Sequence, residues 1–257
     1  MSRDAFLGGR LHLDQPDTGF RAGSDAVLLA ASVPAEAGDS VLDLGCGVGA
    51  AMYCLGARVP DLRLTGVERE AGAAALARRN GTANVVEADV LDLPPALRGQ
   101  WGHVISNPPY FAAGAGSAAR DPSREAALRE GSPGDLVRWI AVACRRVAPK
   151  GTVTVIARAD RLGEMVGAMG GLGAVSIRPI SPDAGAAARR VIVQGTLGAR
   201  GVLQILAPLV LHSRHEDGAY TGEAETILRE MASLKMREKP RRAAAAKKRD
   251  RGQGGVV

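Results

Sequence analysis

The stretch Ser40-Val41-Leu42-Asp43-Leu44-Gly45-Cys46-Gly47-Val48-Gly49 decides the fold. Its first five residues carry Val41, Leu42 and Leu44 in a run too short for a helix, which is the mark of a buried strand. Three glycines at alternate positions follow, and then a helical stretch to about Arg58. A strand, a glycine-rich turn and a helix in this order let a ligand approach bare backbone, because glycine takes a tight turn and puts no side chain in the way.

The same event recurs downstream. Leu62–Val67 reads as the next strand and ends at Glu68, 23 positions after Gly45 and close to the ~20 expected of an acid that holds a ribose hydroxyl pair. Ala71–Asn80 reads as a helix. Asn84–Ala88 is a third short strand ending at Asp89, and Val104–Ser106 a fourth ending at Asn107. Ligands of open α/β sheets bind at the carboxyl ends of the strands, so Asp43 with Gly45, Glu68, Asp89 and Asn107 point at one crevice.

The fourth strand runs into Asn107-Pro108-Pro109-Tyr110. Two successive prolines remove two backbone donors and fix two φ angles, and they hold Asn107 and Pro108 extended. The corner is stiff and rich in acceptors: the Asn107 side-chain carbonyl, the Pro108 backbone carbonyl, and the flat face of Tyr110 beside them. Such a corner suits a planar substrate with an NH2 group, whether adenine, cytosine or a primary amide. Only eight residues of the chain are aromatic, so the adjacent Tyr110 and Phe111 favour stacking on that substrate.

Beyond the corner, residues 112–131 are small and polar and are expected to form a loop over the pocket. A helix is expected from Ser132 and Pro133 to Ala148 with Trp139 and Ile140 inward. A strand over Thr152–Ala157, a helix over Arg161–Met169 and strands over Val175–Ile180, Arg190–Leu197 and Val202–Ala207 follow. Upstream, residues 10–14 alternate as a strand, Gln15–Gly19 reads as a turn, and Ser24 or Asp25 can cap a helix over Ala26–Val33. Seven or so strands interleaved with helices indicate a three-layer α/β/α sandwich.

Composition narrows the classes. The 257 residues are 46% hydrophobic, enough for a sizeable core. No apolar run approaches the ~20 residues that span a bilayer, and the amino terminus lacks a signal pattern, so no membrane association and a cytoplasmic location are expected. Cys46, Cys54 and Cys144 read as inert thiols, and His12, His103, His212 and His215 show no ligand spacing, so no metal is expected. The net charge of +6 is concentrated: residues 235–257 hold nine Lys/Arg against two acids, a net +7, and the preceding 234 residues sum to −1. Such a tail suits the phosphates of a nucleic acid. The expected organisation is a strand-and-helix extension over 1–38, a main domain over 39–232 and a basic, disordered tail over 233–257.

At Asp43–Gly49, Glu68, Asp89 and Asn107–Tyr110 the sequence resembles the S-adenosylmethionine-dependent class I methyltransferases. The glycine loop alone would also fit a dinucleotide enzyme, but hydride transfer has no evident use for the Asn-Pro-Pro-Tyr corner. Two outer segments narrow the resemblance. Phe20–Leu29 looks like the opening helix of the bacterial tRNA1(Val) adenine-N6-methyltransferases, and Pro208–His212 with Asp217–Glu223 is similar to that family's carboxyl-terminal signature. The family usually has Thr where Ser24 stands here, and Ser keeps the hydroxyl.

The resemblance implies a Rossmann-like fold with a seven-stranded mixed sheet and S-adenosylmethionine as cofactor. It implies that Asp43, Gly45, Gly47 and Gly49 lie along the cofactor's methionine part, that Glu68 holds its ribose hydroxyls and that Asp89 meets its adenine amine. Asn107, Pro108, Pro109 and Tyr110 form the catalytic corner, with Asn107 also beside the cofactor. The implied reaction is N6-methylation of an adenine in tRNA, beside the anticodon of tRNA1(Val), with tRNA as partner. The corner presents the same acceptors to a protein glutamine amide or another RNA base amine, and a non-catalytic RNA-binding module is the reading from a different class.

Overall fold

A computed structural model of the chain describes residues 1–109, 132–213 and 218–237. Strands β1 (Ser2–Phe6) and β2 (Leu11–Gln15) form an antiparallel hairpin and lead to helix α1 (Ser24–Ser32). Then come β3 (Ser40–Leu44), α2 (Ala50–Arg58), β4 (Arg63–Glu68), α3 (Ala71–Asn80), β5 (Asn84–Glu87) and β6 (Trp101–Ser106). After the corner follow α4 (Asp135–Arg146), β7 (Val147–Arg158), α5 (Leu162–Ala168), β8 (Gly173–Asp183), β9 (Arg190–Thr196), β10 (Gln204–Ile205), β11 (Leu209–His212) and α6 (Gly222–Glu230).

Seven strands form the body of the sheet in the order β5-β4-β3-β6-β7-β9-β8, and the short β10 and β11 both pair along the outer edge of β8. All neighbours are parallel except β9, which runs antiparallel to β7 and β8, so the sheet is mixed. The chain leaves β3 in one direction, through β4 to β5, and returns to β6 on its other side. That reversal is the topological switch point, where open α/β sheets leave a crevice.

Alternation along β3 assigns the layers. Val41 belongs to the apolar cluster shared with α1, α2, α3 and α6, while Leu42 and Leu44 belong to the cluster shared with α4 and α5. All three are fully buried, and each such aliphatic side chain contributes ~1.5–3 kcal/mol. The three-layer architecture follows from this two-sided burial of a parallel sheet.

Several elements differ from the sequence expectation. Strand β1 is polar and half exposed, so no apolar pattern announced it. Gln15 is the last residue of β2 rather than part of a turn, and it is fully buried. The N-cap position of α1 falls on Gly23, which has no side chain to cap with, and Ser24 and Asp25 lie inside the helix; Asp25 pairs with Arg190 at 2.8 Å. Strand β7 begins at Val147, through Pro149-Lys150-Gly151, with a register shift opposite Trp101–His103 and Lys150 at φ +68°. The chain also stays packed past residue 232: the Leu234 N–H donates to Ala31 O at 2.8 Å, and Leu234 and Met236 are buried.

Two side-chain amides fasten the amino-terminal hairpin. Gln15 Nε2 donates to Asp4 Oδ2 (2.7 Å) and Ala22 O (3.1 Å), and its Oε1 accepts from the Ala22 N–H (2.7 Å). Asn80, at the end of α3, accepts from the Asp14 N–H (2.7 Å) and donates to Asp14 O and Val48 O (both 3.0 Å). The segment 16–22 is thereby held beside the glycine loop.

Candidate functional site

Strand register explains how the expected residues meet. Leu44 pairs with Val67 on one side and with Ser106 on the other. The residues that come next (Gly45, Glu68 and Asn107) therefore stand in one row across the carboxyl ends of β3, β4 and β6. A cleft of about 640 Å³ opens there, lined by Asp43, Gly45, Gly47, Glu68, Asp89, Asn107, Pro108 and Pro109. That volume is in the range of sites for small ligands. Gly49 does not line it: at φ +87° it makes the turn into α2. Tyr110, Phe111 and the loop 112–131 lie outside the described residues, as do His215, Asp217 and residues 238–257 of the basic tail.

The glycine loop is internally bonded. The N–H groups of Gly45 and Cys46 both donate to Val67 O (2.9 Å each), that of Gly47 to Glu68 Oε2 (2.8 Å) and that of Gly49 to Cys46 O (2.8 Å). Gly45 (φ +72°) and Gly47 (φ +56°) need left-handed backbone to do this. Glu68 is fixed at both oxygens, because its Oε1 accepts from the Glu70 N–H at 2.8 Å. Asp89 Oδ1 accepts from the Leu91 N–H at 2.8 Å and so caps the short turn Val90–Asp92.

Two acceptors in the cleft have no hydrogen-bond partner among the described residues: Asp43 Oδ2 and Asn107 Oδ1, both buried. Burial pushes the Asp43 carboxyl up to about 7; the Met52 N–H, in the first turn of α2, pulls it down, and the charge of Glu68 adds a further push. A buried acceptor without a donor costs ~1–3 kcal/mol, so this cleft is built to receive donors or positive charge.

Other residues entered the cleft without being expected there. Thr18, Gly19 and Phe20 form one wall, and Leu136, Arg138 and Trp139 of α4 form another. Trp139 is half-buried and lies against Gly45: a methyl group on Gly45 would stand 2.6 Å from Trp139 Cζ2. Gly45→Ala therefore combines a positive-φ penalty with that collision. It should lower stability by ~2 kcal/mol or more and weaken ligand binding at least ~10-fold, as read by thermal unfolding and calorimetry. A variant as stable and as tightly binding as the parent would mean that the contact yields freely.

His103, Cys54 and Cys144 lie apart from the cleft. His103 is buried at the opposite end of the sheet, between Thr152 Oγ1 (2.8 Å) and Asp39 Oδ2 (3.2 Å), and burial holds it below its usual value against the pull of Asp39. Burial pushes the Cys54 thiol up to about 12 and Cys144 up to about 11. Among the described residues no three His, Cys, Asp or Glu are grouped to hold a metal ion, and no helix is long and apolar enough to cross a membrane.

Comparison with known proteins gives consistent findings. The methyltransferase small domain matches residues 19–131. The tRNA1(Val) (adenine(37)-N6)-methyltransferase of Aeromonas hydrophila is 31% identical over 224 residues, covering 84% of this chain and 92% of the relative. The protein of the same name from Porphyromonas gingivalis is 30% identical over 180 residues, covering 64% of this chain and 69% of the relative. Among solved structures, "a predicted O-methyltransferase, protein Atu636 from Agrobacterium tumefaciens" superposes with a TM-score of 0.68 at 28% identity, covering 82% of this chain and 98% of that one.

Proposed function

The chain belongs to the family of tRNA1(Val) (adenine(37)-N6)-methyltransferases, and from that premise we propose that its cleft brings S-adenosylmethionine and a tRNA adenine together and methylates the exocyclic N6 amine. The observation that carries this reading is the hydrogen-bond character of the cleft. A dinucleotide's pyrophosphate wants free N–H groups at a helix amino terminus. Here four amides of the loop are already engaged, and the Asp43 carboxyl sits against the first turn of α2. Orphaned acceptors at Asp43 and Asn107 instead favour a cationic ligand and an amine.

When bound, S-adenosylmethionine supplies an electrophilic methyl group on its sulfonium. The rest of the work falls to the chain. Asp43 and the glycine loop hold the cofactor's methionine end. Glu68, each oxygen already steadied by one backbone N–H, keeps a second lone pair on each for the ribose hydroxyls. Asp89, oriented by Leu91, accepts from the cofactor's adenine amine.

At the corner, Asn107 Oδ1 and the Pro108 carbonyl accept the two hydrogens of the target amine. Its lone pair is otherwise delocalised into the ring; two acceptors draw the nitrogen toward tetrahedral geometry and free that pair for attack. Orientation of this kind can be worth ~7–11 kcal/mol. Asn107 is not a base, and the excess proton leaves to water after transfer. Tyr110 stacks on the base, a contact worth ~1–3 kcal/mol. The adenine must leave its own stack to reach the corner, which is easiest in a single-stranded anticodon loop.

The test is nucleoside mass spectrometry of bulk tRNA incubated with the protein and labelled S-adenosylmethionine. Labelled N6-methyladenosine, mapped to position 37 of the valine tRNA, is the expected result. Absence of any labelled nucleoside while cofactor binding is intact would move the acceptor to another amine, a protein amide first.

A further inference from the structure

One cleft side chain has no part in the chemistry above. Trp139 Nε1 is a buried donor with no partner among the described residues. The edge of its ring nearest Gly45 is the Cζ2–Cη2 edge: a Cβ on Gly45 would lie 2.6 Å from Cζ2, 3.2 Å from Cη2 and 3.8 Å from Cε2. Cε2 joins Cζ2 to Nε1, so the N–H lies on the flank of the ring next to the edge that meets Gly45. This is the stretch of the cleft assigned to the cofactor's amino-acid end.

That end carries an ammonium and a carboxylate. The ammonium meets its acceptor in Asp43, whose buried Oδ2 is unpartnered among the described residues. The carboxylate needs donors, and four of the five amides of the loop Gly45–Gly49 are engaged elsewhere. The Gly45 and Cys46 N–H groups are both on Val67 O, that of Gly47 on Glu68 and that of Gly49 on Cys46 O. A carboxylate set beside the buried Asp43 is costly unless a desolvated donor meets it. Resting on the reading that this cleft binds S-adenosylmethionine, we infer that the Trp139 indole N–H donates to the cofactor's carboxylate. Trp139 thereby makes the site selective for adenosine ligands that carry an amino-acid tail.

Trp139→Phe keeps a ring against Gly45 and removes only the N–H side of the indole. Calorimetry with two probes separates the possibilities. S-adenosylhomocysteine has the amino-acid end, and 5′-methylthioadenosine lacks it. The expected result is a loss of about 10- to 100-fold in affinity for S-adenosylhomocysteine with an unchanged affinity for 5′-methylthioadenosine, the size of one hydrogen bond to a charged group. Equal losses for both probes would make Trp139 a packing residue, and no loss for either would leave its N–H unused; both overturn the inference. If the parent protein binds neither probe, it is the cofactor assignment itself that fails. A second readout does not depend on the variant's folding. In a Trp101→Phe background, which leaves Trp139 as the sole tryptophan, S-adenosylhomocysteine should shift its fluorescence and 5′-methylthioadenosine should not. Identical responses to the two would count against the contact.

Discussion

Asn107→Ala will stop methyl transfer and leave cofactor binding nearly untouched. The buried Asn107 Oδ1 has no partner among the described residues, so the substitution takes no accepted hydrogen bond from that oxygen. What it removes is one of two acceptors that shape the target amine. Loss of a single preorganised polar group at a reacting centre costs ~10²–10³ in rate. The amine here also loses its positioning, so a fall of at least ~10³ in kcat is expected. Single-turnover transfer of labelled methyl to tRNA reads the rate, and calorimetry with S-adenosylhomocysteine reads the cofactor, whose dissociation constant should stay within ~3-fold. A variant that loses both together would put Asn107 on the cofactor rather than on the amine.

The second large effect concerns Asp43 and pH. Burial in the folded chain pushes its carboxyl up to about 7, from an ordinary value of 3.8. Between those values the folded chain keeps a proton that the unfolded chain releases. The unliganded protein is therefore most stable at low pH as far as this group is concerned; that stability drains away as pH rises from ~4 and levels off above ~7. A shift of this size corresponds to a change on the order of 4 kcal/mol. Asp43→Asn removes the titration. Its thermal midpoint should match the parent near pH 4 and exceed it by several degrees at pH 8, the two curves diverging between. Its affinity for S-adenosylhomocysteine at pH 8 should nonetheless fall at least ~10-fold, because the charge that destabilises the empty cleft is what an ammonium needs. Parallel stability curves for parent and variant across pH 4–8 would show that the buried carboxyl is not the source.

Much of this site is readable before any coordinates. The ends of β3, β4, β5 and β6 are legible because a strand buried on both faces writes itself as a short apolar run, and a polar residue straight after it marks the sheet's rim. Asp43, Glu68, Asp89 and Asn107 were found that way. The order of the strands makes them neighbours, and the recurring βαβ pattern carries that order. What stayed hidden depends on partners distant in the chain. Strand β1 alternates polar residues with exposed ones and is a strand only because β2 pairs with it. Gln15 looks like the start of a turn beside Pro16, yet its amide is matched by Asp4 and Ala22 and can be buried. Trp139 reads as an inward helix residue; that its ring stops at Gly45 is settled by the packing of α4 on the loop, to which no periodicity points. The proton on Asp43 is likewise a property of burial against α2, not of the sequence Asp43-Leu44-Gly45.

The wall of the cleft formed by Thr18, Gly19 and Phe20 hangs from the amides of Gln15 and Asn80. Each of those hydrogen bonds is worth ~1 kcal/mol net, and Phe6, Leu7 and Leu13 of the hairpin add ~1.5–3 kcal/mol apiece by burial in the cluster shared with α1 and α2. The hairpin and its wall can come loose as one local unit while the sheet stays intact. Amide protons of β3 and β6 should then outlast those of β2 in hydrogen exchange. A bulky cofactor held between the wall and the strand ends can then leave by opening of the hairpin, without any unfolding of the central sheet.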